Sequence, residues 1–431
     1  NVRKEGAGFD LPMALAILGA MGSLPARDGS LVVGELSLDG GVRPVRGVLP
    51  VAACAAETGA RQVIVPRENA PEAAIVEGVR VIGVSHLREA AAALADPSSL
   101  PAARPPANGA EETAAVPDFA EVKGQMAAKR ALEVAAAGSH NVLLIGPPGS
   151  GKTMLAKRLP GILPPLAPDE ALEATRIHSV AGVLAPGSGL IRRRPFRAPH
   201  HTISDAGLLG GGAGVPRPGE VSLAHKGVLF LDELPEFARN VLELLRQPLE
   251  ERSVTIARSQ ATCVFPADIM LVAAMNPCRC GYHGDPARQC RCTGAQIQQY
   301  LGKISGPLLD RIDLHVEAPA VPLNELRSRG EPATSEQMRQ RVLAARARQA
   351  ARGCVNSKLP AAALRQACPL DEAGERTLDM AVRRLGLSAR AHDRILKVAR
   401  TIADLGGEER IQAKHIAEAV QYRGLDRNYW T

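Results

Sequence analysis

Residues 146 to 153 read Gly146-Pro147-Pro148-Gly149-Ser150-Gly151-Lys152-Thr153, a complete G-x-x-x-x-G-K-[ST] pattern, and this stretch restricts the fold more than any other in the chain. A strand must lead into such a turn and a helix must leave it. The glycines let backbone N–H groups close around a phosphate, and the helix N-terminus adds its positive dipole end. The apolar run Val142–Ile145 supplies the strand. Val228–Leu231 and Ile269–Ala274 are two more short apolar runs, the signature of a parallel sheet buried on both faces. An α/β class follows. Lys152 is expected to reach the β- and γ-phosphates of ATP and Thr153 to ligate Mg²⁺; the competing reading is a chance glycine-rich turn.

Two further strand ends carry chemistry. Gly227–Glu233 is an apolar run ending in two acids. Asp232 is expected to hold Mg²⁺ through water and Glu233 to polarise an attacking water, with an acidic helix cap before Pro235 as the alternative. Met275-Asn276-Pro277 closes the third run, which places Asn276 beside the γ-phosphate to orient water, unless the Asn-Pro pair merely makes a turn.

Composition narrows the partners. The net charge is +7, with ten Lys among 52 basic residues, so the bias is toward Arg. That balance is compatible with an anionic polymer, but six Phe, four Tyr and one Trp are too few for a surface built on base stacking. Nucleic acid would be gripped by its phosphates. Arg192-Arg193-Arg194-Pro195-Phe196-Arg197 with His200 and His201 is the densest positive run, and Arg258 at the tip of a hairpin Ser253–Phe265, beside Ser259 and Gln260, is a second candidate. A solvated charge run is the alternative for both. The longest nearly apolar run, Leu11–Gly22, has twelve residues against the ~20 that span a bilayer, so no membrane partner is expected. Eight cysteines in 431 residues are too sparse for a disulfide scaffold and suit a reducing, cytoplasmic setting. The chain begins at Asn1 without Met, which leaves room for an upstream piece.

Four of the eight cysteines fall within fifteen residues, as Cys278-Arg279-Cys280 and Cys290-Arg291-Cys292. In extended backbone residues i and i+2 point the same way, so each pair is expected to offer two thiolates to one structural Zn²⁺, with His283 able to replace one of them. Four uncoordinated thiols in a loop are the alternative.

Taken together, Gly146–Thr153, Asp232-Glu233, Asn276, Arg311 in Leu308-Leu309-Asp310-Arg311-Ile312-Asp313, and Arg390 in Ser388-Ala389-Arg390 resemble the Mg-chelatase-like branch of the AAA+ ATPases. Phe196-Arg197-Ala198-Pro199-His200-His201-Thr202, Gly219-Glu220-Val221-Ser222-Leu223-Ala224-His225 and Ser305–Asp313 resemble, more narrowly, the bacterial ComM/YifB family. The resemblance implies that Asn276 is the sensor-1 residue, Arg311 an arginine finger reaching a neighbouring subunit, and Arg390 the sensor-2 arginine of a lid. It implies a homo-hexameric ring acting on single-stranded or branched DNA, a branch-migration helicase of natural transformation and recombination. A chelatase-type motor subunit that remodels a partner protein for metal insertion is the rival.

Four segments are expected. Residues 1–95 form a small α/β unit with a helix Asp10–Leu18, a strand Leu31–Leu38, a turn at Asp39-Gly40-Gly41, a helix Val48–Thr58, strands Gln62–Val65 and Val79–Val84, and a helix from Ser85 to Ala95. This unit is similar to part of the Lon protease domain, most clearly over Gly34–Gly40. The likeness puts Gly8 at the nucleophile position and Leu49 at the lysine position, which implies an incomplete, non-catalytic unit. Residues 96–117, with five prolines, read as a linker. Residues 118–322 are the ATPase core, with 278–292 as an insertion. Residues 323–431 are a helical lid, with helices over Glu336–Arg352, Asp371–Leu385, Ser388–Leu405 and Ala413–Tyr422.

Overall fold

Along each central strand the side chains alternate between two separate apolar cores, which is why those strands are apolar without a break. The computed structural model describes residues 7–25, 29–106, 116–185, 187–212, 215–258, 262–322, 325, 333–385 and 388–424. The central sheet is five-stranded and parallel throughout. Its order is Leu314–Glu317, Val142–Ile145, Met270–Met275, Val228–Leu231, Phe196–Arg197. Val142, Leu144, Phe230, Val272 and Val316 face one core, while Leu143, Ile145, Leu229, Leu231 and Met275 face the other. The three strands named from sequence are neighbours, so their C-terminal ends open on one edge.

The first of these cores does not stop at the sheet. It runs through the alanine-rich helix Met126–Gly138 into Ser335–Ala350, Ala389–Gly406 and Ala413–Gln421, so the C-terminal helices and the sheet share one apolar interior. Alanines let these helices approach closely with little loss of side-chain freedom. Beneath the apolar contacts lies a buried polar chain. His140, just before the P-loop strand, contacts Asp313 at 3.0 Å and Thr401 at 2.8 Å. Asn356 Nδ2 donates to Thr401 Oγ1 (3.1 Å) and to Asp404 (2.8 Å), and Arg352 and Arg400 complete the pairing of that fully buried carboxylate.

The N-terminal unit is a separate three-stranded parallel sheet, Ser30–Val32, Gln62–Pro66 and Arg80–Val84, with helices on both faces. The expected single strand Leu31–Leu38 is in fact two, Ser30–Val32 and Glu35–Leu36, lying in different sheets. Gly34 is where the chain leaves the first: its carbonyl accepts from Leu11 N–H and its N–H donates to Gly8, with a Cβ there only 2.9 Å from Leu11 Cδ2. Asp10 opens the helix Asp10–Ala20 as its first residue rather than capping it. Leu49 is fully buried in helix Val48–Glu57, which packs on Pro168–Ala181 of the central unit. The stretch read as a linker is partly laid on this sheet: Ala103 N–H donates to Val81 O at 2.8 Å. Residues 107–115 of that stretch lie outside the described residues.

Asp268 ties the opposite edge of the central sheet together. It sits two residues before Met270, pairs with Lys226 at 3.0 Å just ahead of Val228–Leu231, and pairs with Lys358 on the turn Asn356–Lys358. Burial alone would raise its pKa, but the two ammonium groups outweigh that and bring it down to about 2. A carboxylate whose folded pKa lies below its unfolded value stabilises the fold above the unfolded pKa and loses that contribution as pH falls through the folded one. Asp268→Asn should therefore cost about 2 kcal/mol at neutral pH. Urea midpoints of variant and parent should converge between about pH 4 and pH 2; a gap independent of pH would remove the ion pairs from the account.

Candidate active site

The phosphate turn is shaped by what cannot fit. A Cβ on Gly146 would stand 2.0 Å from Ala318 O, and Gly149 and Gly151 have φ of +76° and +90°, a region that costs other L-residues roughly 1–2 kcal/mol. Helix Lys152–Arg158 follows directly. Lys152 Nζ donates to Gly146 O (2.7 Å), Pro147 O (2.9 Å) and Asn276 Oδ1 (3.1 Å). Burial pushes its pKa down to about 8 against the opposing pull of Asp232. Thr153 Oγ1 donates to Asp232 Oδ2 at 2.6 Å, and Asp232 Oδ1 accepts from Glu233 N–H at 2.9 Å. These residues fit a magnesium nucleotide. Among the described residues a buried ammonium is satisfied only by neutral oxygens, Ser150 Oγ is buried without a hydrogen-bond partner, and a hydroxyl and a carboxylate share one hydrogen bond where a divalent cation would sit.

Glu233 sits just past the strand end in left-handed backbone (φ +53°), a strained conformation for a side chain other than Gly or Asn. Its carboxylate is half exposed and lies 3.3 Å from His201 Nδ1. The His201 ring lies 4.1 Å from that of His200 and meets the edge of Phe237 at 6.3 Å. Sequence reasoning placed His201 only in the basic run. Its contact with Glu233, 32 positions away, leaves no local signal. Gln125 was also missed: it is buried, adopts φ +56°, and its Nε2 donates to Ser150 O (3.0 Å) and Pro319 O (2.5 Å), bracing the turn from behind. Both Gly124 and Gln125 have positive φ, and the glycine just ahead of an alanine-rich helical run is the signal that could have found the turn.

The basic run divides. Arg194 is bound by Pro164 O, Pro165 O, Lys226 O and Glu170, and Arg197 makes two bonds to Glu220 at 2.6 and 2.7 Å. These two guanidiniums are engaged within the fold. Arg192, Arg193 and His200 are exposed. Arg258 is exposed too, and its Nη2 lies 3.2 Å from where a Cβ on Gly211 would be, so the hairpin end adjoins the segment that follows His201. Ser259 and Gln260 lie outside the described residues. Arg311 is folded back on its own chain, donating to Pro307 O and pairing with Glu250, while Asn141 Nδ2 donates to its carbonyl at 2.8 Å. Arg390 stands exposed in the first turn of Ala389–Gly406, a helix capped by Ser388.

The four loop cysteines converge. Every sulfur lies within 4.8 Å of the others, and His283 is not part of the group. The route differs from the expected one: Cys278–Cys280 is a tight turn closed by Gly281 N–H to Cys278 O (3.0 Å), because Gly281 with φ +88° reverses the chain there. Backbone N–H groups favour the Cys280 thiolate, Arg291's foremost, and bring its pKa to about 6. The Cys292 N–H favours the Cys290 thiolate as well, but desolvation and the neighbouring sulfurs push that thiol up to about 12.

Comparison with known proteins bears on three of the four segments. The family profile described as magnesium chelatase, subunit ChlI, matches residues 118–326, its C-terminal counterpart matches 332–423, and a third, subunit ChlI of Mg-chelatase, matches 1–69. YifB of Escherichia coli (strain K12) is 44% identical over 431 residues, covering 99% of this chain and 84% of that protein. Competence protein ComM of Haemophilus influenzae is 43% identical over 437 residues, with the same two coverages. Lon protease 2 of Bacillus subtilis is 34% identical over 88 residues, 20% of this chain and 16% of that protein. A mixed α/β fold with a parallel sheet, a helical C-terminal region and near full-length identity at this level leave one assignment: the chain belongs to the ComM/YifB family of Mg-chelatase-like AAA+ proteins, which implies ATPase activity.

Proposed function

We propose that the protein is an ATP-hydrolysing subunit of a homo-hexameric cytoplasmic ring that drives single-stranded or branched DNA, a branch-migration motor serving transformation and recombination. The observation that carries this reading is the 3.3 Å contact between His201 and Glu233. It joins the end of the exposed basic segment to the residue best placed to activate water. While His201 engages Glu233 the carboxylate is held toward the segment; a DNA phosphate on Arg192, Arg193 and His200 would draw the segment away and free it. Lys152 supplies positive charge to the transferring phosphoryl, Asn276 orients the water, and Thr153 with Asp232 would hold Mg²⁺, which neutralises phosphate charge. The name of the Haemophilus relative, competence protein, agrees with DNA as the substrate. The rival, a chelatase motor that remodels a partner protein, shares the core but gives no role to the cysteine loop.

ATP binding should take up a proton. A Lys152 that is partly deprotonated near pH 8 in the nucleotide-free protein must be charged against phosphate. Affinity should thus weaken as pH rises through about 8, and calorimetry in buffers of different ionisation enthalpy should show net uptake there. Identical heats in all buffers would contradict it.

His201→Ala should raise the basal ATPase rate and abolish stimulation by branched DNA. Changing Arg192 and Arg193 together to Ala should leave basal turnover intact, flatten the log–log salt dependence of DNA binding by up to about two units, and weaken all sequences alike. An unaltered slope and unaltered stimulation would make the segment a solvated face.

Arg311 acts on the neighbouring subunit's nucleotide in this reading and must leave Glu250 to do so. Arg311→Ala chains mixed with Glu233→Gln chains should recover part of the ATPase activity each lacks alone, because some interfaces then pair an intact finger with an intact base. No recovery in well-mixed rings argues against action in trans.

A further inference from the structure

Between the strand ending at Met275 and the helix beginning at Gly294 lie eighteen residues of irregular backbone. Loops of that length without regular structure are uncommon unless something fastens them. Apart from the cysteines, Tyr282 is its one large side chain with an apolar body, occupied by Arg288, whose guanidinium lies 5.1 Å from the ring. Yet the loop lies against the phosphate turn: a Cβ on Gly281 would stand 2.4 Å from Pro148 Cδ. Cys278 is two residues from Asn276, which contacts Lys152.

The sulfurs have the spacing of ligands around one ion. Cys278 Sγ lies 3.4 Å from Cys280 and 3.7 Å from Cys290, and Cys280 lies 3.6 Å from Cys290. A disulfide needs about 2.05 Å. Four sulfurs at about 2.3 Å from a central Zn²⁺ stand about 3.8 Å apart at tetrahedral angles. An iron–sulfur cluster would hold its cysteines further apart, because the cluster itself fills the centre. The surroundings suit a tetrathiolate carrying net negative charge: Cys292 N–H donates to Cys290 Sγ at 3.4 Å, and the loop carries three arginines, Arg279, Arg288 and Arg291, against one acid, Asp285.

We infer that Cys278, Cys280, Cys290 and Cys292 bind one Zn²⁺, and that this metal fastens the loop that walls the phosphate turn and positions Asn276. The site is structural, since four protein ligands leave no open position for catalysis. It does not depend on DNA being the motor's substrate.

The test begins with the intact protein purified under reducing conditions. Elemental analysis should give one zinc per chain, and exchange with Co²⁺ should produce the intense visible bands of a tetrahedral thiolate site. Cys280→Ser with Cys290→Ser should lose both, while Cys54→Ser with Cys263→Ser keeps them. Chelation of the parent protein tests the fastening without any substitution: trypsin should cut after Arg279, Arg288 and Arg291 at least tenfold faster, and a non-hydrolysable ATP analogue should bind roughly tenfold more weakly. Restoring Zn²⁺ should reverse both. Absence of stoichiometric zinc, or zinc retained after loss of two cysteines, overturns the site. Unchanged cleavage and nucleotide affinity after verified zinc removal overturn the fastening.

Discussion

Everything at the catalytic edge is arranged around an ammonium group that has no anion in contact with it among the described residues. Lys152 is held by two carbonyls of its own turn and by the amide oxygen of Asn276, with Asp232 near enough to act on it only through space. Burial makes that charge costly, and the neutral oxygens offset the cost only in part. A phosphate completes the arrangement. Strand order is what makes it possible: Met270–Met275 lies directly beside Val142–Ile145, so the residue after one strand meets the turn after the other. Gly146 keeps the turn flush against Ala318 on the other side.

How much of this was readable beforehand depended on how local each feature is. Asp232 and Asn276 follow apolar strands directly, Lys152 and Thr153 close the glycine-rich turn that follows a third, and a parallel sheet brings such ends to one edge. The four C-terminal helices named from periodicity and caps also stand within about two residues of their observed bounds. Features made by crossings left no such trace. Nothing near Arg194 announces that Pro164, Pro165 and Lys226 will surround it, and nothing near Arg311 announces Glu250, 61 positions earlier. Gly34 looked like an ordinary member of an alternating run; only the carbonyl it turns toward Leu11 explains the break. In the cysteine loop, composition pointed to the cluster while the backbone path, a turn at Gly281, could not be inferred from spacing.

The C-terminal helices reach the chemistry through polar contacts as well as apolar ones. His140 bonds Thr401 on one side and Asp313 on the other, and Asp313 is two residues from Arg311. Asn141 holds the Arg311 carbonyl and accepts from Leu271 N–H at 2.8 Å, on the strand that leads into Asn276. A displacement of Ala389–Gly406 therefore strains groups that lead both to Arg311 and to the strand just before Asn276. Such a network transmits a change because its buried members have no water to substitute for a lost partner.

The central place of the P-loop strand also has a cost in time. Val142 pairs with Val272 and with Leu314, which follow it by 130 and 172 positions. A ribosome adding ~5–20 residues per second needs roughly 10–30 seconds to deliver both neighbours. For that interval four consecutive apolar residues have both flanks open, and any other exposed strand edge is a competitor for them. The same topology that gathers the nucleotide residues on one edge thus makes the nascent chain dependent on shielding until its last strand emerges.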